Sequence, residues 1–293
     1  MVKLRGSDPV ARTVRRILSG SEDGRPQWVR ALEEPGDVGW FGPDHSIWAV
    51  HGSLATLVGG IRALLLQSAH PLALAGVEEH SDYRSDPLGR LQRTNQWLTS
   101  VTFGSSVQAA RAVDRVTAVH QRVIGVAPDG RPYAAADPRL LLWVHVGLTD
   151  SMLVAAQAFG PRDVDADAYV RDMAYVGNRM GVVDAPESAV QLTAALDGFR
   201  AELSGGDNVR QVSRFLARPP LPAPALPFYT VLHRAAVDLL PSWSHRFVGT
   251  PLRSAPVRAA DLVAASSMLG ALRLVLGRES PGERAACRRT ATT

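Results

Sequence analysis

A chain of 293 residues is long enough for one large domain or two small ones and can bury a substantial core. Its 46% apolar and 20% charged residues exclude a disordered chain and fit an ordinary globular one. The 32 Lys and Arg against 28 Asp and Glu give a formal charge of +4, and because the two signs are interspersed there is no basic stripe of the kind nucleic acid requires.

The single cysteine, Cys287, lies in a charged tail, so neither an intrachain disulfide nor a thiolate cluster for zinc or iron–sulfur is available. Arg15-Arg16 is followed by no apolar signal-peptide core. The longest apolar run, Leu54 to Ala69, is interrupted by Arg62 and flanked by His51 and His70, and it is shorter than a spanning helix requires. The expectation is a cytoplasmic protein with no transmembrane segment.

Residues 1–45 mix charge, Gly and Pro and predict a short helix near Val10 to Leu18 followed by an irregular arm that wraps the next domain. From Ser46 the pattern turns helical, with Ile47, Trp48, Val50, Leu54, Leu57, Val58, Ile61, Leu64 and Leu65 recurring at three- and four-residue intervals. Pro71 breaks this helix after His70, and Leu72 to His80 continues it briefly. Asp86 caps a helix whose first residue is Pro87. On that helix Arg90, Arg93 and Thr94 fall at i, i+3 and i+4 and project from one side. That side borders the apolar residues Leu91, Trp97, Leu98 and Val101. An arginine at such a border serves equally well as a snorkelling or ion-paired structural residue.

Gly104 stops that helix and Ser105 or Ser106 starts the next, in which Val113, Val116, His120 and Val123 or Ile124 share a stripe that turns His120 inward. A lone interior histidine is more often hydrogen-bonded than metal-bound. VAPDGRPYAAA reads as a turn-rich connection. Asp137-Pro138 then repeats the cap and opens a helix, apolar on most sides, that should run through the centre with His145 among Leu141, Leu148 and Met152. Three amphipathic helices follow. PPLPAPALP is a rigid connector rather than a domain boundary, and two further apolar helices close the chain. With no strand alternation, βαβ rhythm or repeat, the fold class is all-α: an arm over 1–45, one helical domain over 46–277, and a disordered tail over 278–293.

The blocks RALLLQSAHPLALAGV, HSDYRSDPLGRLQRT, FGS, VHQRVIG and DPRLLLWVHVGLTDS occur in this order and resemble the rubber oxygenases (latex clearing proteins) and the fungal mycophenolate-pathway oxygenase MpaB. The resemblance runs from about Gly36-Asp37 to the Leu-Leu-Pro and Phe-Val-Gly between residues 239 and 249. It implies a haem b-dependent oxygenase that activates dioxygen to oxidise an apolar organic substrate, with a buried haem-type cavity between central helices. His120, in VHQRVIG, matches the proximal iron ligand. Neutral imidazole suits iron, and its second ring nitrogen needs an acceptor. Arg90, Arg93 and Thr94 match the distal segment and are the catalytic candidates. His70 and His145 match recurring positions beside the cofactor, as does His80, with structural or supporting roles ahead of ligation.

One departure stands out. Rubber oxygenases carry a lysine where this chain has Arg93, and a guanidinium keeps its charge where an amine can lose it, so rubber cleavage itself does not carry over. Their acidic residue upstream corresponds to Glu78, Glu79 or Asp82, any of which also reads as part of a solvated turn. Two other functions compete: a non-haem metal enzyme using His70, His80, Glu78 or Glu79 and His120, and a non-catalytic helical haem- or lipid-binding protein. Against the first, the chain lacks the paired Glu-x-x-His motifs of di-iron bundles.

Overall fold

The computed structural model describes residues 9–291; the first eight residues of the expected arm and the last two of the expected tail lie outside them. Fifteen α-helices account for nearly all regular structure: α1 (Pro9–Ser19), α2 (Gln27–Ala31), α3 (Ser46–His51), α4 (Thr56–Gln67), α5 (Pro71–His80), α6 (Pro87–Phe103), α7 (Ser106–His120), α8 (Pro138–Phe159), α9 (Ala166–Arg179), α10 (Ala189–Gly198), α11 (Asp207–Ala217), α12 (Leu226–Asp238), α13 (His245–Val248), α14 (Ala255–Leu276) and α15 (Pro281–Ala291). The chain is all-α, as its periodicity predicts.

The centre is the crossing of α4 and α8. Glycines allow the close approach: a Cβ at Gly59 would lie 2.8 Å from Met152 Sδ, and one at Gly147 would lie 3.2 Å from Gln67 Cγ. Two cross-helix bonds lock the register, Gln67 Nε2 donating to the Val144 carbonyl at 2.9 Å and Trp143 Nε1 to the Gln67 carbonyl at 3.2 Å. Around this pair, α12 packs on α4 and α14, α9 on α3 and α8, and α10 on α8 and α9. The α4–α8 crossing is filled by side chains, so the cavity expected between central helices is not found there.

The cap readings at Asp86 and Asp137 hold. Asp86 accepts from the Gly89 N–H and Asp137 from those of Arg139 and Leu140, each before a proline at the first helical position. The helix expected from Ser46 is split between α3 and α4; at the break Gly52 lies so close to Glu283 that a Cβ would fall 2.5 Å from its carboxylate. The connection read as turns contains a small antiparallel hairpin, β1 (Ile124–Val126) with β2 (Pro132–Ala134). Its turn uses Gly130 at φ +85°, a conformation glycine adopts without strain.

The expected disordered tail is corrected by α15. That helix buries Gly282, Ala285, Ala286 and Arg289 against α2 and α6. The Arg289 guanidinium donates to the carbonyls of Leu32, Asp37 and Val38, so the end of the chain clamps the N-terminal arm. On its other side the arm is held by α6, Gln92 Nε2 donating to the Arg16 carbonyl and Asn95 Nδ2 to that of Leu18.

Two helices, α8 and α14, are long and apolar enough to cross a membrane, where sequence analysis singled out the Leu54–Ala69 run. In α8 the apolar stretch is 61% buried inside the protein, but in α14 only 17% is.

Candidate active site

The short connection Gly104-Ser105 turns α7 back along α6. It is built as a capping box, with Ser105 Oγ accepting from the Gln108 N–H and Gln108 Oε1 accepting from the Ser105 N–H. α7 packs on α6 along this hairpin; His120 stands in the last turn of α7 and Arg90 in the first turn of α6, with no hydrogen bond or electrostatic interaction joining the two among the described residues.

His120 is half-buried at the C-terminal end of α7. Burial pushes its pKa below the ordinary histidine value, so its imidazole is neutral at pH 7, and neither ring nitrogen has a hydrogen-bond partner among the described residues. On the same hairpin, Trp97 Nε1 and Thr117 Oγ1 are buried without partners. Large apolar side chains on it are open, Leu91 at 40% and Val119 at 44% exposure. Buried polar atoms are normally satisfied, so this concentration of unpartnered ones calls for an explanation.

The structure separates the three residues expected to act together on α6. Arg90 is half-buried and reaches back to donate to Ser81 Oγ, with no carboxylate within ion-pair distance among the described residues. Desolvation, and then the adjacent Arg93 charge, hold its pKa below the usual arginine value. Arg93 is exposed and pairs at 3.1 Å with Asp86, the cap of its own helix. Thr94 is exposed as well, its hydroxyl donating to the Arg90 carbonyl at 3.0 Å. Leu91 turns outward, so only Leu98, Val101 and the partly buried Trp97 provide the apolar border expected on this helix.

The other histidines stand apart from His120, with no hydrogen bond or ring contact joining them to it. His145 is buried in α8, and Gly177 of α9 makes room for it: a Cβ there would lie 2.8 Å from the ring. Its Nε2 has no partner, and burial lowers its pKa to about 4. His70 caps α5 through the Ala73 N–H, stands 3.7 Å from Glu202 and stacks at a tilt on Trp143. It also lines a cavity of about 420 Å³ with Arg139 and Glu202. His80 is exposed, 3.2 Å from the Ile124 carbonyl through Nε2.

The acidic turn is partnered rather than simply solvated. Glu78 accepts from the Tyr83 hydroxyl and pairs with Arg84 at 2.8 Å, while Glu79 accepts from the Tyr133 hydroxyl across the hairpin. Both carboxylates line an open cavity of about 490 Å³ floored by Leu74, Ala75 and Val209. Asp82 is exposed. Neither cavity includes His120, Arg93 or Thr94 among its lining residues. Among the described residues no three of His, Cys, Asp and Glu are grouped as metal ligands, so the set proposed for a non-haem site is not assembled.

Two buried polar assemblies were not anticipated. Arg62, 2% exposed, pairs with Asp150 at 2.7 Å and donates to Ser151 Oγ at 2.7 Å and the Leu239 carbonyl at 2.9 Å. His51 bridges Thr102 Oγ1 at 2.7 Å and the Tyr169 hydroxyl at 3.2 Å. The only sequence signal for the first was a charge inside an apolar helix facing an Asp-Ser on another, and the second gave none.

Residues 48–274 match the family described as ER-bound oxygenase mpaB/B′/rubber oxygenase, catalytic domain. No curated protein and no solved structure matches the chain.

Proposed function

From the chain's membership of the mpaB/rubber oxygenase family, which makes it an oxidoreductase acting with dioxygen, we propose that it is a haem b-dependent oxygenase for an apolar organic substrate, with His120 as the iron ligand. The observation that carries this reading is His120 itself: a neutral imidazole with both nitrogens free, on a hairpin whose other helix carries an arginine with no counterion among the described residues. Neutral imidazole is the form that ligates iron. A half-buried guanidinium with no carboxylate suits a propionate, which could accept two parallel N–H bonds from it. The open Leu91 and Val119 side chains suit the apolar faces of a macrocycle. The residues of the α6–α7 hairpin therefore fit haem.

Bound there, haem would supply the redox chemistry that side chains lack. The chain's own residues would do the rest. His120 would hold the group, and Arg90 would neutralise and orient its carboxylate end. Arg93 and Thr94 would add a fixed positive charge and a hydroxyl dipole to the open side. Because Arg93 keeps its proton at any working pH, it cannot serve as a base. Any proton acceptor would come from the tyrosine-bonded carboxylates Glu78 and Glu79. His145 and His70 would act as supports within α8 and at the head of α5.

The test is the absorption spectrum of protein expressed with a haem precursor, followed by extraction and identification of the pigment. A Soret band that is lost in His120→Ala is expected. Arg93→Ala should retain haem and shift its cyanide affinity. Full haem occupancy in His120→Ala would overturn the ligand assignment.

A further inference from the structure

Among the described residues the outward face of α14 has no partner. Its inner residues Ala265, Leu269 and Leu272 are buried, and the helix packs on α12 and α8. The opposite side carries Ala260, Val263, Ala264, Ser267, Gly270, Ala271 and Leu274. At 100° per residue, Val263 and Leu274 fall three turns apart on the midline of that side, and they are 65% and 81% exposed. Leu252, just before the helix, is 54% exposed. From Ala260 to Leu274 this face runs over about 21 Å.

The charges around this face are one-sided. Asp261, the only acid on α14, is turned inward onto Arg253 at 2.6 Å. At the C-terminal end Arg273 and Arg278 are exposed. Beside them α1 packs on α14 and brings Arg15 close enough to Arg284 for the two charges to repel. Glu279 is the exposed acid among these arginines. An uncharged apolar strip ending in a cationic cluster complements a surface that is apolar below and anionic above.

We propose that α14 is a docking face for an anionic lipid surface. The helix lies on the membrane and does not cross it, because leaving the bundle would uncover the apolar faces of α12 and α8 that Ala265, Leu269 and Leu272 cover. Val263 and Leu274 enter the boundary of the acyl chains, and the arginines engage lipid phosphates. This is compatible with a cytoplasmic enzyme that meets an apolar substrate at the membrane, and it does not depend on which cofactor the protein carries.

The test is flotation of the full chain with vesicles of phosphatidylcholine alone or with one-third phosphatidylglycerol, alongside sedimentation velocity without lipid. The wild type should float with the anionic vesicles, and less so as salt rises. Replacing Arg273 or Arg278 with Gln should weaken binding by about fivefold each. The pair Val263→Glu and Leu274→Glu should abolish it while leaving the circular dichroism and melting temperature unchanged, since both side chains lie outside the core. Equal binding to neutral vesicles, or no binding to either, overturns the proposal. So does a lipid-free dimer that Val263→Glu dissociates, which would assign the face to a second copy of the chain.

Discussion

Replacing Arg90 with leucine should move haem affinity and apoprotein stability in different directions. In the apoprotein Arg90 makes one side-chain bond, to Ser81 Oγ, worth about 1 kcal/mol net. Against that bond stand the desolvation of an unpaired guanidinium and the neighbouring charge of Arg93. Leucine propagates a helix as well as arginine and removes both penalties, so the apoprotein should stay within about 1 kcal/mol of wild type or gain stability. Haem binding loses a charge-assisted contact of about 1.5–3 kcal/mol, which is a Kd about 10- to 150-fold weaker. The assays are a haem titration followed at the Soret band and urea unfolding of the apoprotein. An apoprotein weakened by more than about 2 kcal/mol with haem affinity unchanged would make Arg90 a structural residue and remove the propionate argument.

Arg62→Met should cost about 3–5 kcal/mol, because it leaves Asp150 without its cation in the α4–α8 centre; a loss below about 1 kcal/mol in urea unfolding would mean that the pair carries little weight. The double variant Arg62→Met with Asp150→Leu should recover part of that loss, since no uncompensated charge then remains. Acid should destabilise the protein through its buried histidines, with folded pKa values of about 3 for His51 and about 4 for His145. Both are depressed, so their stability is intact above the unfolded value near 6.5 and is lost as pH falls toward those values, roughly 2 kcal/mol each by pH 5. In His145→Gln the difference in unfolding free energy between pH 7 and pH 5 should shrink by about that amount, and an unchanged difference would show that His145 does not contribute.

Helix positions were legible because each depends on neighbours in sequence. Asp86-Pro87 and Asp137-Pro138 announce their caps within three residues, and the Val113–Val116–His120 stripe follows from periodicity alone. What was missed depends on distant pairing or on weak local signals. Arg62 is recognisable as a buried ion only once α8 brings Asp150 and Ser151 against it. Arg90 and Arg93 share a helical side, yet one reaches back to Ser81 and the other is captured by Asp86, a choice made by the turn before the helix. The tail was misread because α15 buries Gly282, Ala285 and Ala286, small residues that add little to an apolar pattern, together with an arginine whose partners lie some 250 positions away. The Asp129-Gly130 turn between short strands was a hairpin signal hidden by the prolines on either side.

The way the protein treats its buried polar groups separates support from function. Arg62, His51 and Arg289 lie deep in the fold, and each is met by two or three partners, as stability demands. Unpartnered buried atoms occur at His145 and Thr149 on α8 and at His233, His245 and Arg258 on α12, α13 and α14. The α6–α7 hairpin adds Trp97 Nε1 and Thr117 Oγ1 without partners, His120 with two free nitrogens and Arg90 with no counterion among the described residues, and the exposed apolar side chains of Leu91 and Val119. Folding alone gains nothing from that arrangement, and an apoprotein free to optimise its stability would pair or remove these groups. Under the proposed haem reading, the neutral imidazole of His120 and the unpaired guanidinium of Arg90 are the groups of this hairpin that a bound, apolar, carboxylate-bearing group would satisfy.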